Sequence, residues 1–289
     1  EWNLFRSAIR NLKLSADDRL GLLNDLFAMT LAGYSSATQF LSLVSCYQNE
    51  NDAVVWREVA AGLRRFEALI ADKSYLPQFY IFGRAIFGHI VKQIGWEAKI
   101  DEGHLGALRR STVLGRSGTY GELGVLVEAR SRFERYMENP LSLPADLRGV
   151  VYNLVARDGG EETYEQLCHL ELQATLHEEK LRLLTALTQP QQRNLLERTL
   201  DRSLTTQVRA QDSILVITGV SSNHVGRDMV WEFIKDNWAE LDRRYGSGGF
   251  MITRLIMTTQ AFNTLERAEE VEKFFRDHPV PSAQRTIQQ

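Results

Sequence analysis

Apolar residues return every three or four positions along almost the whole chain, as at Leu20, Leu23, Phe27 and Leu31 or at Phe66, Leu69 and Ile70, which places them on one stripe of a helix. The period-two alternation of a half-buried strand is almost absent. Turn-forming residues punctuate the pattern at Ala32-Gly33, Asn49 to Asp52, Tyr75-Leu76-Pro77, Gly95, Ser117-Gly118, Asn139-Pro140, Asp158-Gly159-Gly160, Gln189-Pro190, Ser221-Ser222-Asn223 and Gly246 to Gly249. The intervals predict about fourteen helices of roughly 12 to 20 residues each.

Several boundaries have a stated cause. Ser15 is placed to cap a helix whose first turn carries Asp17 and Asp18, carboxylates that suit the positive end of a helix dipole. A helix is predicted from about Pro144 to Asp158, with Gly159 ending it in the left-handed conformation. Ser213 to Thr218 is β-branched and apolar enough for a strand, but a lone strand leaves its backbone donors and acceptors unpaired, so a helix buried on most sides is expected. Many short helices joined by short loops outgrow one bundle core. The expected fold is all-α, a curved superhelical array of antiparallel helix pairs of the HEAT or armadillo kind, with degenerate repeats and residues 1–289 as a single domain. Arrays of this kind bind on their concave face.

With 44% hydrophobic and 25% charged residues in 289, the chain is globular. Its formal charge of −3 offers no basic footprint for a phosphate backbone, which argues against nucleic acid as a partner. No apolar run reaches the roughly 20 residues needed to cross a bilayer, so no membrane partner is expected. Cys46 and Cys168 lie far apart without CxxC spacing, which fits a reducing, cytoplasmic setting and neither a disulfide framework nor a structural zinc site. Glu1 opens mid-pattern and Arg285 to Gln289 reads as the beginning of a helix, so a piece truncated at both ends is expected.

Catalytic constellations are sparse. His177-Glu178-Glu179-Lys180-Leu181 approaches a zinc helix, but Leu181 stands where the second histidine belongs. His169 and His177 share a face only if one continuous helix carries both. No nucleophile elbow is present, and Gly246-Ser247-Gly248-Gly249 lacks the strand and lysine of a phosphate loop, which leaves it a flexible connection. Arg109, Arg110, Arg116, Arg130, Arg132 and Arg135 interleave with Glu122, Glu128 and Glu134, the composition of a solvated face. Trp56, Phe79, Tyr80, Phe82, Phe87, Trp231, Phe233 and Trp238 are core at helical spacing, or alternatively the wall of a peptide site.

Specific strings carry the reading further. Asp18-Arg19-Leu20-Gly21-Leu22-Leu23-Asn24-Asp25-Leu26-Phe27 followed by Ala32-Gly33, then Leu143 to Tyr152, Gln207 to Asp212, Trp231 to Trp238 and Val271 to Pro279 occur in family order along nearly the whole chain. Together they resemble the C-terminal helical domain of the M1 (gluzincin) zinc aminopeptidases, the puromycin-sensitive type in particular. The resemblance implies a larger enzyme whose zinc sits in another domain, with no catalytic residue, no metal ligand and no cofactor in this chain. It implies that these helices enclose a peptide chamber, touch the downstream part of the peptide and influence opening and closing. The implied partners are the catalytic domain of the same polypeptide and peptide substrates. It also implies a helix or two beyond Thr286-Ile287-Gln288.

Two residues are carried over as candidate substrate contacts. In relatives that prefer acidic substrates, an arginine in the helix before a Phe-Asn-Thr string faces the chamber, and Arg254 lies before Phe262-Asn263-Thr264 here. Its guanidinium can hold a carboxylate bidentately, or simply pair with a neighbouring acid. Tyr245 belongs to the same implied wall. The rival reading is an autonomous helical-repeat scaffold for protein partners, which should carry polar capping helices at both ends.

Overall fold

The computed structural model describes residues 2–288, and the outermost positions of the expected truncated ends, Glu1 and Gln289, lie outside them. Among the described residues there are seventeen α-helices, five short 3-10 turns and no β-strand. The chain divides into two compact units, residues 1–154 and 155–289.

The first unit contains α1 (Trp2–Arg10), α2 (Ala16–Leu31), α3 (Ala37–Val44), α4 (Ala53–Ile70), α5 (Leu76–Ile94), α6 (Gly103–Thr119), α7 (Leu123–Glu138) and most of α8 (Ala145–Asp158). Ser15 caps α2 as its position predicts, accepting from the Asp18 amide at 3.1 Å. The core is aromatic: Phe27, Phe40 and Phe66 meet at centroid distances of 5.1 to 5.8 Å, and Trp56 lies 5.2 Å from Phe87. Inside it sits a buried ion pair. Arg19 grips Glu50 with Nε to Oε2 at 2.6 Å and Nη2 to Oε1 at 2.7 Å, and gives a third hydrogen bond to the Leu14 carbonyl. Glu50 Oε1 also accepts the amides of Asn51 and Asp52, both at 2.8 Å, and Trp56 Nε1 donates to the Glu50 carbonyl. This fastens α2 to the loop that starts α4, where Asp52 caps Val54 and Val55.

The second unit continues with α9 (Glu161–Gln173), α10 (His177–Ala186), α11 (Arg193–Ser203), α12 (Ala210–Ser221), α13 (Arg227–Asp236), α14 (Trp238–Tyr245), α15 (Phe250–Ile256), α16 (Leu265–Asp277) and α17 (Gln284–Ile287). The apolar, β-branched stretch is indeed helical: α12 packs against α10, α11, α13 and α15 and buries Ile214, Val216, Ile217 and Val220. Ser213 Oγ finds the Ser203 carbonyl at 2.5 Å, so this polar side chain is satisfied inside the core.

Three local expectations are corrected. Ser117-Gly118 is not a break, because α6 runs on to Thr119 and the chain turns at Gly121, whose φ is +82°. Gly118 is small because Leu154 packs on it, and a Cβ there would stand 2.5 Å from Leu154 Cδ2. Gly159 ends α8 without entering the left-handed region; a Cβ would lie 2.5 Å from the Val155 carbonyl oxygen. The segment carrying His169 and His177 breaks at Ala174, so the two histidines stand on α9 and α10.

Gly83 on α5 meets the buried Tyr120 ring, with a Cβ placed 2.4 Å from Tyr120 Cδ2, whereas nothing lies within 4 Å of a Cβ at Gly21. Gly83→Ala is expected to cost about 1–3 kcal/mol and lower the melting temperature by several degrees, because a closed ring cannot give way. Gly21→Ala, inside α2, should leave stability unchanged or raise it by up to about 1 kcal/mol. Thermal melts of both variants followed by circular dichroism check the contrast.

Candidate functional site

Helix α15 presents an arrangement suited to holding a ligand. The chain leaves α14 through a 3-10 turn at Gly246–Gly248 and re-enters helix after Gly249, whose φ of +55° and ψ of −59° few L-residues adopt. The glycine-rich segment is therefore a structured reversal. Ile252, Leu255 and Ile256 face the core of the second unit, with Trp231, Leu241 and Val280 in the same cluster. That choice of face sends Phe250, Arg254 and Met257 outward at i, i+4 and i+7. Phe250 is 72% exposed and Met257 46%, with Arg254 half-buried between them.

Arg254 lacks an acid at every helical neighbour position, which are Phe250, Met251, Met257 and Thr258. Among the described residues it takes part in no ion pair and no side-chain hydrogen bond. Its five N–H donors are unspent, and two apolar side chains flank it. Such a stripe can receive a carboxylate and cover the carbon chain beside it.

Tyr245 occupies a different environment. Its ring is buried in the core of the second unit, and its hydroxyl donates to the Ala210 carbonyl at 2.6 Å, tying the end of α14 to the start of α12. The structure thus places Tyr245 beneath the surface and Arg254 at it, on successive helices. Phe250 and Met257 were not singled out in the sequence, although their spacing from Arg254 was there to be read.

The Phe-Asn-Thr string is held from behind. Phe262 stacks edge-on against Trp231 at 6.3 Å, the Arg267 guanidinium covers its ring at 5.2 Å, and Thr264 caps α16. Glu270 closes the arrangement by accepting from Trp231 Nε1 at 2.9 Å, Lys235 Nζ at 2.6 Å and Arg267 Nη1 at 2.7 Å. Burial alone would push the Glu270 carboxyl up, but these three donors outweigh it and take it down to about 2. Nearby, Trp231 and Trp238 meet Phe274 and Phe275 at 5.2 to 6.1 Å, so the Trp231–Trp238 and Val271–Pro279 strings are two halves of one aromatic cluster.

Among the described residues no group of three or more His, Cys, Asp or Glu side chains is placed to hold a metal ion. His177 lies 3.6 Å from Asp212. No described helix is long and apolar enough to cross a membrane.

Comparison with known families decides the lineage. The family model of the ERAP1-like C-terminal domain matches residues 1–289. The chain belongs to that family. Its relatives include Aminopeptidase M1 of Arabidopsis thaliana, 32% identical over 98% of this chain and 33% of the relative. Aminopeptidase 2, mitochondrial, of Saccharomyces cerevisiae is 30% identical over 91% of this chain and 28% of its own length. Glutamyl aminopeptidase of Sus scrofa is 29% identical over 98% of this chain and 30% of its own length. The chain thus spans about a third of the length of the curated relatives it matches. The resemblance to the C-terminal domain of M1 aminopeptidases holds, and the matching strings now have physical roles in the ERAP1-like domain: Arg19 in the buried pair, Trp231 and Trp238 in the aromatic cluster.

The depressed Glu270 carboxyl gives a signed pH dependence. With a folded value near 2 against an ordinary value of 4.5, its contribution is complete above about pH 5 and is lost as the pH falls toward 2. Glu270→Gln should therefore lower the melting temperature most at neutral pH, and the gap to wild type should close by about pH 2. Melting curves of both proteins across that range measure it.

Proposed function

We propose that this ERAP1-like domain is the non-catalytic C-terminal part of a zinc-dependent M1 aminopeptidase, enclosing the chamber in which peptides are trimmed. In this reading the zinc, the general base and the grip on the peptide's amino terminus belong to the catalytic domain of the same polypeptide. The domain supplies a wall and contacts to the downstream part of the peptide, and its position sets the open and closed states. That residues 1–289 act as one domain, coiled into a curved array, is part of the same proposal. So are the puromycin-sensitive type and a cytoplasmic setting; Cys46 and Cys168 are both free thiols.

The observation that carries the reading is the match of all 289 residues to a domain whose relatives are named aminopeptidases. Helix α1 exposes Leu4 at 81% and Phe5 at 37%, apolar surface suited to cover by another domain. On the wall, Arg254 with Phe250 and Met257 is assigned to the downstream part of the peptide, with preference for an acidic side chain. Tyr245 supports the stripe from beneath by fixing the end of α14.

Two outcomes are expected. Adding this chain to the separately produced catalytic portion of its polypeptide should give a complex and restore length-dependent trimming, measured by mass spectrometry of a peptide ladder; no complex and an unchanged ladder overturn the wall assignment. In the full-length enzyme, Arg254→Ala should raise KM about tenfold for peptides with a downstream glutamate, the loss of one charge-assisted hydrogen-bonded contact, with little change for the glutamine analogue. Equal KM changes for both peptides would remove Arg254 from the acidic contact.

A further inference from the structure

The outward face of α4, in the first unit, has a charge pattern that the wall reading does not use. Arg57 and Arg64 stand seven residues apart on one stripe of the helix, about 10 Å along its axis, and both are exposed. Ala61 lies between them. At the helical neighbour positions Arg57 meets only Ala53, Val54, Ala60 and Ala61, and Arg64 meets Ala60, Ala61, Ala68 and a single acid, Glu67.

Glu67 is already committed. Its Oε2 accepts from Arg116 Nη2 at 2.6 Å and its Oε1 accepts from the Tyr80 hydroxyl at 3.0 Å. Arg116 is itself drawn in, with Nη2 also 2.8 Å from the Tyr120 hydroxyl and its guanidinium over the Tyr120 ring at 4.7 Å. The one carboxylate within helical reach of Arg64 is thus spent on another helix, and among the described residues neither Arg57 nor Arg64 has an ion pair or a side-chain hydrogen bond. Arg65 beside them lies over the Phe27 ring at 5.1 Å, bringing a third positive charge without an acid. These cations are crowded and undercompensated.

We propose that this face of α4 docks an acidic polypeptide segment whose carboxylates are spaced about 10 Å apart, one to each of Arg57 and Arg64. The guanidinium fork takes a carboxylate bidentately, and the small Ala61 lets a backbone approach between the two anchors. A polyproline II segment, with three residues per turn and about 3.1 Å rise per residue, presents glutamates three residues apart on one face at about that spacing. A nucleic acid backbone fits less well, since it needs a broad basic surface and this chain carries a formal charge of −3. The site lies in the first unit and Arg254 in the second, so it stands or falls independently of the proposed chamber wall.

The test uses the 289-residue chain and a fluorescein-labelled peptide with glutamate at every third position, followed by fluorescence anisotropy. Saturable binding that weakens with added salt is expected, together with an affinity loss of about 5- to 20-fold in the Arg57→Gln/Arg64→Gln double variant. Arg276→Gln, at an exposed arginine of α16, should bind as wild type does. Because neither stripe arginine holds a partner, melting curves of the double variant should match the parent. The proposal is overturned by absent saturation, by equal binding of a glutamine-substituted peptide, by unchanged affinity in the double variant, or by an oligonucleotide that binds more tightly through the same two arginines.

Discussion

A charge can leave water only where several partners meet it, and in each unit the irregular parts of the chain are organised around that requirement. Arg19 and Glu50 satisfy it in the first unit, where two guanidinium contacts and two backbone amides converge on one carboxylate that is almost completely buried. The pair contributes little net energy by itself, since desolvation consumes most of the Coulombic gain. Its effect is positional. An alternative packing of the loop between α3 and α4 would strand a buried charge, so the loop has one acceptable course. In the second unit, Glu171 is held by Arg202 at 2.9 Å with Lys180 at 3.7 Å, and Glu270 by its three donors. Helix stripes bury the apolar area; these carboxylates decide where the ends of the helices go.

Most of the fold was legible because a 3.6-residue period survives in the sequence whatever the tertiary context. The α12 segment shows how far that goes. Its β-branched run was ambiguous by period, and the demand that backbone donors be satisfied selected the helix the structure has. What misled was glycine. Gly118 reads as a helix end and instead accepts Leu154 against the backbone, as Gly83 accepts Tyr120. A glycine that turns the chain and a glycine that admits a neighbour look alike until the neighbour is known, because both follow from a missing Cβ. The break at Ala174 had no glycine or proline to announce it, and the paired-histidine arrangement depended on that break being absent.

The candidate site was legible as a residue but not as a state. Arg254 was found through its place before the Phe-Asn-Thr string, and two roles remained open for it, a ligand contact or an ordinary ion pair. Local sequence could not choose. Arg19 has Ser15, Ala16, Leu22 and Leu23 at its helical neighbour positions, no more acid than Arg254 has, yet it ends in a bidentate ion pair with both partners buried. The carboxylate that claims it is 31 residues away. Arg64 makes the opposite case: it has a glutamate one turn on, and the fold gives that glutamate to Arg116. An arginine's availability is therefore decided by the competition of all donors for all acceptors after the helices have packed. The two outward arginines of α4 and the one on α15 matter because they lose that competition at the surface, where an unpaired cation costs little and a ligand's carboxylate can complete what the protein's own acids do not.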